Sequence, residues 1–347
     1  MLSKDELNEY YKQSIYPGLI SLETERKSIV KFLKNLRYLL LFSLTIIMIF
    51  FGEFIFPKYF PLPQVGLVLI SLISYFIVSA LKKRHYKKVF KPKVVAPLLE
   101  AIGEDVLYEP KRSLAREDVE KAAIFDDYGS LNYTGLKNSH TSFDHCKGDD
   151  YVKGLFDGVA LEFSELLITR KIDTDEFSED NRRRTETMFR GFFFISELQT
   201  ETKEGFCMVA KYDSEPSGGL LGGIIKVGAM IGGLMGNERE TIECGEERLD
   251  KHFKFYGEKS DMISIFKDPV VKSLLHLWNK EFLVRISLRG NKIYIGLDLP
   301  GHQFLEAKLS QSLEDYEEPM QLVTYIKKVV ALVKSFEAKD EDIEMQW

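Results

Sequence analysis

A short stretch of the chain collects residue types that bind transition metals. The sequence HTSFDHC places His140, Asp144, His145 and Cys146 within seven positions, and imidazole, thiolate and carboxylate groups are the usual ligands of zinc. No second pair at ligand spacing accompanies it, and the stretch has the character of a loop. We therefore expect ordinary surface residues here, with a metal site as the alternative.

Carboxylates follow directly and can be considered as a cation site. They lack the regular spacing of a calcium-binding loop, which favours a solvated acidic edge; the five are Asp149, Asp150, Asp157, Glu162 and Glu165.

Familiar catalytic patterns are missing from the sequence. His252, His276 and His302 are scattered, and no GxSxG, HExxH, P-loop or CxxC occurs. We assign no catalytic residue, no metal ligand and no cofactor, and a non-catalytic protein is favoured over an enzyme.

The most unusual segment is SGGLLGGIIKVGAMIGGLMG, Ser217 to Gly236, with eight glycines and one charge, Lys226. Small residues four apart allow close helix approach in membranes, but a central lysine disfavours a third span. Two alternatives stay open: a flexible insertion between strands, or a loop that touches a membrane or a partner. The candidate contact residues are Gly218, Leu220, Leu221, Ile224, Ile225, Met230, Ile231 and Leu234.

Two apolar runs near the N-terminus, 38–56 and 65–81, are each long enough to cross a hydrocarbon core of about 30 Å. Basic residues crowd both outer flanks, whereas the connecting loop holds only Lys58, which predicts an external hairpin loop and both termini in the cytoplasm. Glu53 is expected near the outer headgroups. The alternative is a buried helical hairpin in a soluble protein. The predicted contacts with lipid headgroups are Lys82, Lys83, Arg84, Lys87 and Lys88.

Charge divides the chain of 347 residues unevenly. The net charge of -6 combines about +9 over residues 1–93 with about -15 over the remainder. So acidic a domain is a poor candidate for nonspecific nucleic-acid binding, which needs clustered cations. Three cysteines at long spacings fit a reducing compartment.

Hydrophobic patterning predicts an α+β fold, with a transmembrane helical hairpin followed by a cytoplasmic, largely antiparallel sheet and flanking helices. A pleckstrin-like roll is one specific form. Hairpins are expected at Asp157-Gly158 and at Gly290-Asn291, strands over 188–198 and 205–212, and a C-terminal helix over 318–336. Short helices are expected over 94–106 and from Ser113 to about Phe125, and the charged stretch 173–187 is expected to be a solvated loop. The predicted parts are a cytoplasmic helical segment (1–37), the spans and loop (38–81), a basic helical connector (82–125), the α+β domain (126–337) and an acidic tail (338–347).

Five stretches occur along the chain in the order REDVEKAAIF, GDDYVKGLFDGVALEFSEL, FRGFFFISEL, LDKHFKFYGEKSD and RISLRGNKIYIG. Together they resemble a bacterial family of two-span membrane proteins, the domain of unknown function 3137. The resemblance extends from about residue 90 to 337 and does not include the glycine-rich segment.

The resemblance implies no chemistry, because the family has no established activity. It implies a partner in the membrane, since similar proteins are often encoded near LemA-like membrane proteins. The expected function is a non-catalytic protein-docking or scaffold module at the bacterial inner membrane, with GDDYVKG, FSEL and the glycine-rich segment as contact elements. The partners expected are lipids and either a protein or a second copy, with no nucleic acid. A membrane-tethered enzyme or a ligand or metal sensor is the alternative.

Overall fold

The computed structural model describes residue 6 and residues 9–52, 62–125, 143–172, 184–211, 241–257, 265–278, 282–299, 309–310, 312–313 and 318–338. The chain divides into two compact units. A helical unit comprises 2–101 with 304–320, and a sheet unit comprises 102–303 with 321–347.

The helical unit is built on two long helices. A π-helical turn (Tyr11–Ile15) leads into α1 (Tyr16–Gly52); α2 (Leu62–Phe90) is followed by a second π-helical turn (Lys91–Val95) and α3 (Ala96–Ile102). The predicted helix running into the first apolar run is therefore confirmed. Buried side chains include Leu19, Leu22, Tyr86 and Phe90, which gives this unit an apolar core of its own.

Farther along both helices the apolar side chains are exposed. The exposed set includes Leu39, Leu41, Phe42, Ile46 and Ile49 on α1 and Leu69, Ile70, Leu72, Ile73, Phe76, Ile77 and Leu81 on α2. Among the described residues, no helix has the length and apolarity needed to cross a membrane. The two predicted spans are thus not confirmed, and 53–61, with the end of the first span and most of the loop, lies outside the described residues.

An ion pair fixes the returning segment 309–313 to α1. Arg26 donates two hydrogen bonds of 2.7 Å to the Glu23 carboxylate and one of 2.7 Å to the Leu309 carbonyl. The backbone N–H of Leu313 donates to the same carboxylate at 3.0 Å. These contacts hold the pKa of Glu23 at about 2, chiefly through the Arg26 hydrogen bonds.

The described residues of the sheet unit form six antiparallel strands and four helices. The strands are β1 (Glu104–Glu109), β2 (His145–Phe156), β3 (Val159–Ile172), β4 (Arg184–Ala210), β5 (Phe253–Gly257) and β6 (Leu283–Asp298). The helices are α4 (Arg116–Lys121), α5 (Glu247–Asp250), α6 (Asp268–Leu277) and α7 (Glu318–Glu337). Strands pair in the order β1-β2-β3-β4-β5, and β6 pairs with β4, which confirms an α+β fold with antiparallel sheet.

Strand β6 reverses direction at its middle. A Cβ built on Gly296 would lie 3.7 Å from the Cβ of Arg285, and the Arg285 guanidinium lies 3.6 Å from the Asp298 carboxylate. In a straight strand, residues eleven positions apart are roughly 36 Å apart. The chain therefore turns at Gly290, whose φ is +60°, and the predicted hairpin at Gly290-Asn291 is confirmed.

Strand β4 reverses as well. Its first arm, 191–197, pairs with the second arm of β6, and its second arm, 206–209, pairs with the first arm of β6. Because the arms of β6 run in opposite directions, those of β4 do too, in agreement with the two predicted strands. The first arm of β4 also pairs with β3 and the second arm with β5.

The hairpin at Asp157-Gly158 is confirmed by the pairing of β2 with β3 and by φ values of +52° and +80° at the two turn residues. Helix α7 confirms the C-terminal helix, with Leu322, Ile326 and Val329 fully buried.

Three local predictions were wrong. Residues 104–106, predicted as helix, begin β1, since their strand pairing with β2 overrides local pattern. The helix predicted from Ser113 to Phe125 is shorter in the structure, where α4 spans only Arg116–Lys121 and Ala115 is its N-cap. Residues 184–187, predicted as loop, begin β4; 173–183 lie outside the described residues.

Candidate functional site

One half of a sheet face is closed by the chain between β1 and β2. Residues of the segment 114–125, including Val119 and Phe125, form a buried cluster with Phe143, Phe189 and Phe193. The Phe125 and Phe189 rings meet edge-to-face at 5.4 Å. This packing gives that half of the face its cover.

The other half of the same face is open and forms a cavity of about 360 Å³, here called the open-face cavity. The register of the strands determines the floor of the cavity. One residue from each of β1, β2, β3, β4 and β6 lies in a single transverse row across the sheet, each paired with the next: Leu107, Lys153, Glu162, Ile195 and Tyr294. A second row continues the floor and contains two pairs of strand partners, Leu155 with Ala160 and Glu197 with Lys292. Asp118 of α4 and Asp105 of β1 also line the cavity, together with Gly154, Leu161 and Ser196.

The opposite face of the sheet is buried. Phe163 and Phe194 lie in register on β3 and β4 with their rings 4.9 Å apart, and both are fully buried. Near the β2–β3 turn, Lys334 of α7 bonds to Asp157 at 2.5 Å. No residue of α7 lines the open-face cavity, so we place α7 on the buried face.

Two ion pairs cross the floor of the cavity. Lys153 Nζ lies 2.5 Å from Glu162 Oε1, and Lys292 Nζ lies 3.4 Å from Glu197. The hydrogen bond to Glu162 raises the pKa of Lys153, which is therefore charged at neutral pH. Because these side chains are largely exposed, each pair contributes at most about 1 kcal/mol to stability, and a bound partner can compete for them.

Tyr294 supplies an aromatic part of the floor. Its side chain is 3% exposed, and burial raises the pKa of the phenol. The group is therefore neutral at pH 7, where its hydroxyl can donate or accept a hydrogen bond.

The cavity also gathers the exposed apolar residues of this unit. Among the large hydrophobic side chains of the described sheet unit, only Leu107, 48% exposed, and Leu155, 37% exposed, are exposed. Both line the open-face cavity. An apolar patch with charged borders is typical of an interaction surface.

A separate group of carboxylates lies at a bulge in β2. Ligand atoms of Asp149, Asp150 and Glu165 all lie within 4.8 Å of one another, a donor set that suits a hard divalent cation. Tyr108 donates a 2.5 Å hydrogen bond to the fully buried Asp150, and burial is the largest of the effects that raise the pKa of the Tyr108 phenol. Asp150 has a φ of +57°.

The structure brings together three of the five carboxylates considered from sequence. Asp157 lies at the β2–β3 turn with Lys334, and Glu162 lies in the open-face cavity with Lys153. The expectation of a wholly solvated edge is wrong for Asp150, which is fully buried, and for Glu165, which is 9% exposed.

The loop predicted for HTSFDHC is wrong only for its last two residues, because Phe143 and Asp144 lie outside any strand and His145 and Cys146 begin β2. Asp144 accepts a 2.5 Å hydrogen bond from the backbone N–H of Lys171. Burial raises the pKa of Cys146 to about 11, so its thiol stays protonated at neutral pH and is a poor metal ligand. His140 lies outside the described residues.

The scattered histidines have ordinary environments where they are described. The His252 ring lies 4.3 Å from that of Trp278, and burial lowers the pKa of His276. His302 lies outside the described residues.

The predicted contact residues fall into three groups. The glycine-rich segment, with Gly218, Leu220, Leu221, Ile224, Ile225, Met230, Ile231 and Leu234, lies outside the described residues. Lys82, Lys83, Arg84 and Lys88 are exposed on α2, and the side chain of Lys87 is not described. GDDYVKG contributes Lys153 and Gly154 to the open-face cavity, whereas FSEL, 163–166, is buried.

Four residues of the open-face cavity were not predicted as site residues from the sequence: Leu107, Leu155, Ile195 and Tyr294. Locally they are ordinary strand residues, and only the register of five chain segments places them together. Alternation along each strand was the one available signal.

Comparison with known proteins gives no curated relative and no solved structure that matches the chain. A family match covers residues 187–338, from β4 through α7, and its description reads Protein of unknown function (DUF3137). The N-terminal part of the resemblance seen in the sequence, from about residue 90, lies outside the matched residues. Residues 187–338 are therefore similar to this family of unknown function.

Proposed function

We propose that the protein is a non-catalytic docking module that the helical unit holds at the bacterial inner membrane. The observation that carries the proposal is the uneven placement of exposed apolar side chains. The helical unit exposes seventeen large hydrophobic residues among those described, whereas the sheet unit exposes two. We assign contact with lipid to the first unit and contact with a protein to the second.

The helical unit has the chemistry of a membrane-associated pair of helices. Exposed leucine, isoleucine and phenylalanine side chains on α1 and α2 are costly in water, at about 25 cal/mol per Å² of apolar surface. Lys82 and Arg84 are exposed beyond the apolar stretch of α2, where they can meet anionic headgroups. The distribution of basic residues supports both termini on the cytoplasmic side.

The chemistry of the sheet unit supports docking over catalysis. Burial raises the pKa of Cys244 to about 12 and that of Cys146 to about 11, so neither thiol is an activated nucleophile. The family resemblance points to a LemA-like membrane protein as partner, and a second copy of this chain is the other candidate.

A second candidate function is a metal sensor or a metal-dependent enzyme. The convergence of Asp149, Asp150 and Glu165 favours it, because three carboxylates at this separation repel one another unless protons or cations compensate their charge.

Lys254, exposed on β5, tests location and orientation. In a Cys146→Ser background, a Lys254→Cys variant should remain with membranes after carbonate washing. An impermeant maleimide should label it only after the cells are permeabilised. Cys207 and Cys244 are buried and should react slowly in both conditions.

Three controls make this result interpretable. The Cys146→Ser parent measures background labelling, and a cytoplasmic marker protein verifies that the cells are intact. Labelling of the variant in intact cells would contradict the orientation, and release of the protein by carbonate would contradict integral membrane attachment.

A further inference from the structure

We propose that the open-face cavity binds an amphipathic α-helix of a partner protein, one whose aliphatic stripe is bordered by lysine or arginine. This inference rests on the docking function proposed above and specifies the site and the chemistry of the partner.

The apolar surface available to a partner helix lies at both ends of the transverse row. Leu107 and Leu155 lie at the β1 end and are exposed, while Ile195 and Tyr294 lie toward β6 and are nearly buried. An aliphatic stripe laid along the row would contact Leu107 and the neighbouring Leu155 at one end and Ile195 and Tyr294 at the other. The Lys153–Glu162 ion pair lies between these two apolar ends. Burial of the exposed leucine surface would favour the complex.

A helix fits this surface better than a strand does. Strands add to the edge of a sheet through backbone hydrogen bonds, whereas faces are covered by helices or by a second sheet. Five adjacent segments at about 4.8 Å spacing span roughly 19 Å, and a helix is about 10–12 Å across. Helix α4 already covers the adjoining half of the face, so a partner helix would lie beside it.

Charge selects a basic partner. Four carboxylates, those of Asp105, Asp118, Glu162 and Glu197, line the cavity together with two lysines. Lys153 and Lys292 pair with Glu162 and Glu197, and Lys121 of α4 pairs with Asp118 at 2.8 Å. Asp105 therefore carries the remaining negative charge of the lining. Lysine or arginine beside the aliphatic stripe would complement it.

The same charge argues against a second copy of the sheet unit as the occupant. Residues beyond 93 carry a net charge of about -15, and two acidic surfaces repel each other on approach. A chain of opposite charge gains affinity and association rate instead.

The test uses the full chain in zwitterionic phosphatidylcholine nanodiscs and the labelled helical peptide LKKLLKLLKKLLKL, with empty discs as the reference. Fluorescence anisotropy should show saturable binding to the wild type. A double variant, Leu107→Thr with Leu155→Thr, should bind at least tenfold more weakly. Threonine keeps strand propensity at these exposed positions, and unchanged thermal unfolding verifies the fold.

Matched controls distinguish peptide binding at the open-face cavity from nonspecific binding elsewhere on the protein. Ile20→Thr removes a side chain that is 51% exposed in the helical unit and should leave affinity unchanged. Asp105→Asn should weaken binding several-fold; asparagine tolerates the φ of +51° at this position. The acidic peptide LEELLELLEELLEL should bind at least tenfold more weakly than the basic one.

Equal affinity of wild type and double variant would overturn the proposed site, and equal binding of the acidic peptide would overturn the basic partner. Concentration-dependent dimers that the double variant abolishes would replace the partner helix with a second copy. None of these results would remove the docking function, because site-specific cross-linking in cells tests that function separately.

Discussion

Replacing Gly191 with alanine is expected to unfold the sheet unit at ordinary temperatures. A Cβ at this position would lie 1.9 Å from the carbonyl oxygen of Leu297 and 3.0 Å from the backbone nitrogen of Leu299. Both are backbone atoms of the adjoining chain, so no side-chain rotation relieves the overlap. The first arm of β4 would have to separate from the second arm of β6.

Separation of these arms would open the core, because Phe192, Phe193 and Phe194 follow Gly191 directly and are fully buried. We expect a loss of about 4 kcal/mol or more, in the range of severe point substitutions. Tryptophan fluorescence, with Trp278 as a reporter in this unit, and near-ultraviolet circular dichroism should show the loss of cooperative unfolding.

The matched control is Gly158→Asn at the β2–β3 turn. Gly158 has a φ of +80° and no atom within 4 Å of a built Cβ, and asparagine is well tolerated in such turns. We expect a cost of less than about 1 kcal/mol. A Gly191→Ala variant as stable as Gly158→Asn would contradict the register between β4 and β6.

Replacing Glu23 with glutamine is expected to destabilise the helical unit by roughly 3 kcal/mol at pH 7. The carboxylate is 3% exposed and binds both the Arg26 guanidinium and the Leu313 N–H. The substitution removes the charge from one member of a largely buried ion pair with Arg26, which is among the costlier changes in a protein. Urea or thermal unfolding of the full chain in detergent measures the effect.

The pH dependence has a definite direction. The pKa of Glu23 falls from 4.5 to about 2 on folding, so this group stabilises the folded state fully above pH 4.5. Its contribution decreases as the pH falls from about 4.5 to 2, and the shift corresponds to about 3 kcal/mol. Glu23→Gln should lose this part of the acid sensitivity.

Glu25→Gln is the control, since Glu25 is 32% exposed and faces the exposed His85 at 3.5 Å. We expect a change below about 0.5 kcal/mol. If Glu23→Gln and Glu25→Gln showed the same stability from pH 3 to pH 8, the ion pair would not fix segment 309–313 to α1.

Sequence patterning was sufficient where a local signal specified the structure. Asp157-Gly158 and Gly290-Asn291 turn as predicted, because residues tolerant of positive φ lie between alternating strands. The apolar stripe of α7 likewise identified a buried helix.

Prediction failed where distant segments determine the structure. The sequence of β1, EDVLYE, has three acids in six residues and lacks a typical strand pattern, yet it pairs with β2. The open-face cavity could not be predicted for a related reason. Leu107 and Tyr294 come from opposite ends of the sheet unit, and only the register through three intervening segments aligns them.

The central claim, docking through the open-face cavity at a membrane, is tested most directly by site-specific photo-cross-linking in living cells. Leu155→p-benzoylphenylalanine places the probe in the cavity, and Lys254→p-benzoylphenylalanine places it on exposed β5. Both full-length variants are irradiated, extracted gently from membranes and analysed by mass spectrometry for cross-linked peptides and bound metal.

We predict one discrete adduct from position 155 and none from position 254, with the cross-linked peptide in a basic amphipathic helix of a membrane-fraction protein. Its yield should fall when Leu107→Thr is added. No adduct from either position, together with a stoichiometric divalent cation, would contradict docking and favour the metal-sensor alternative.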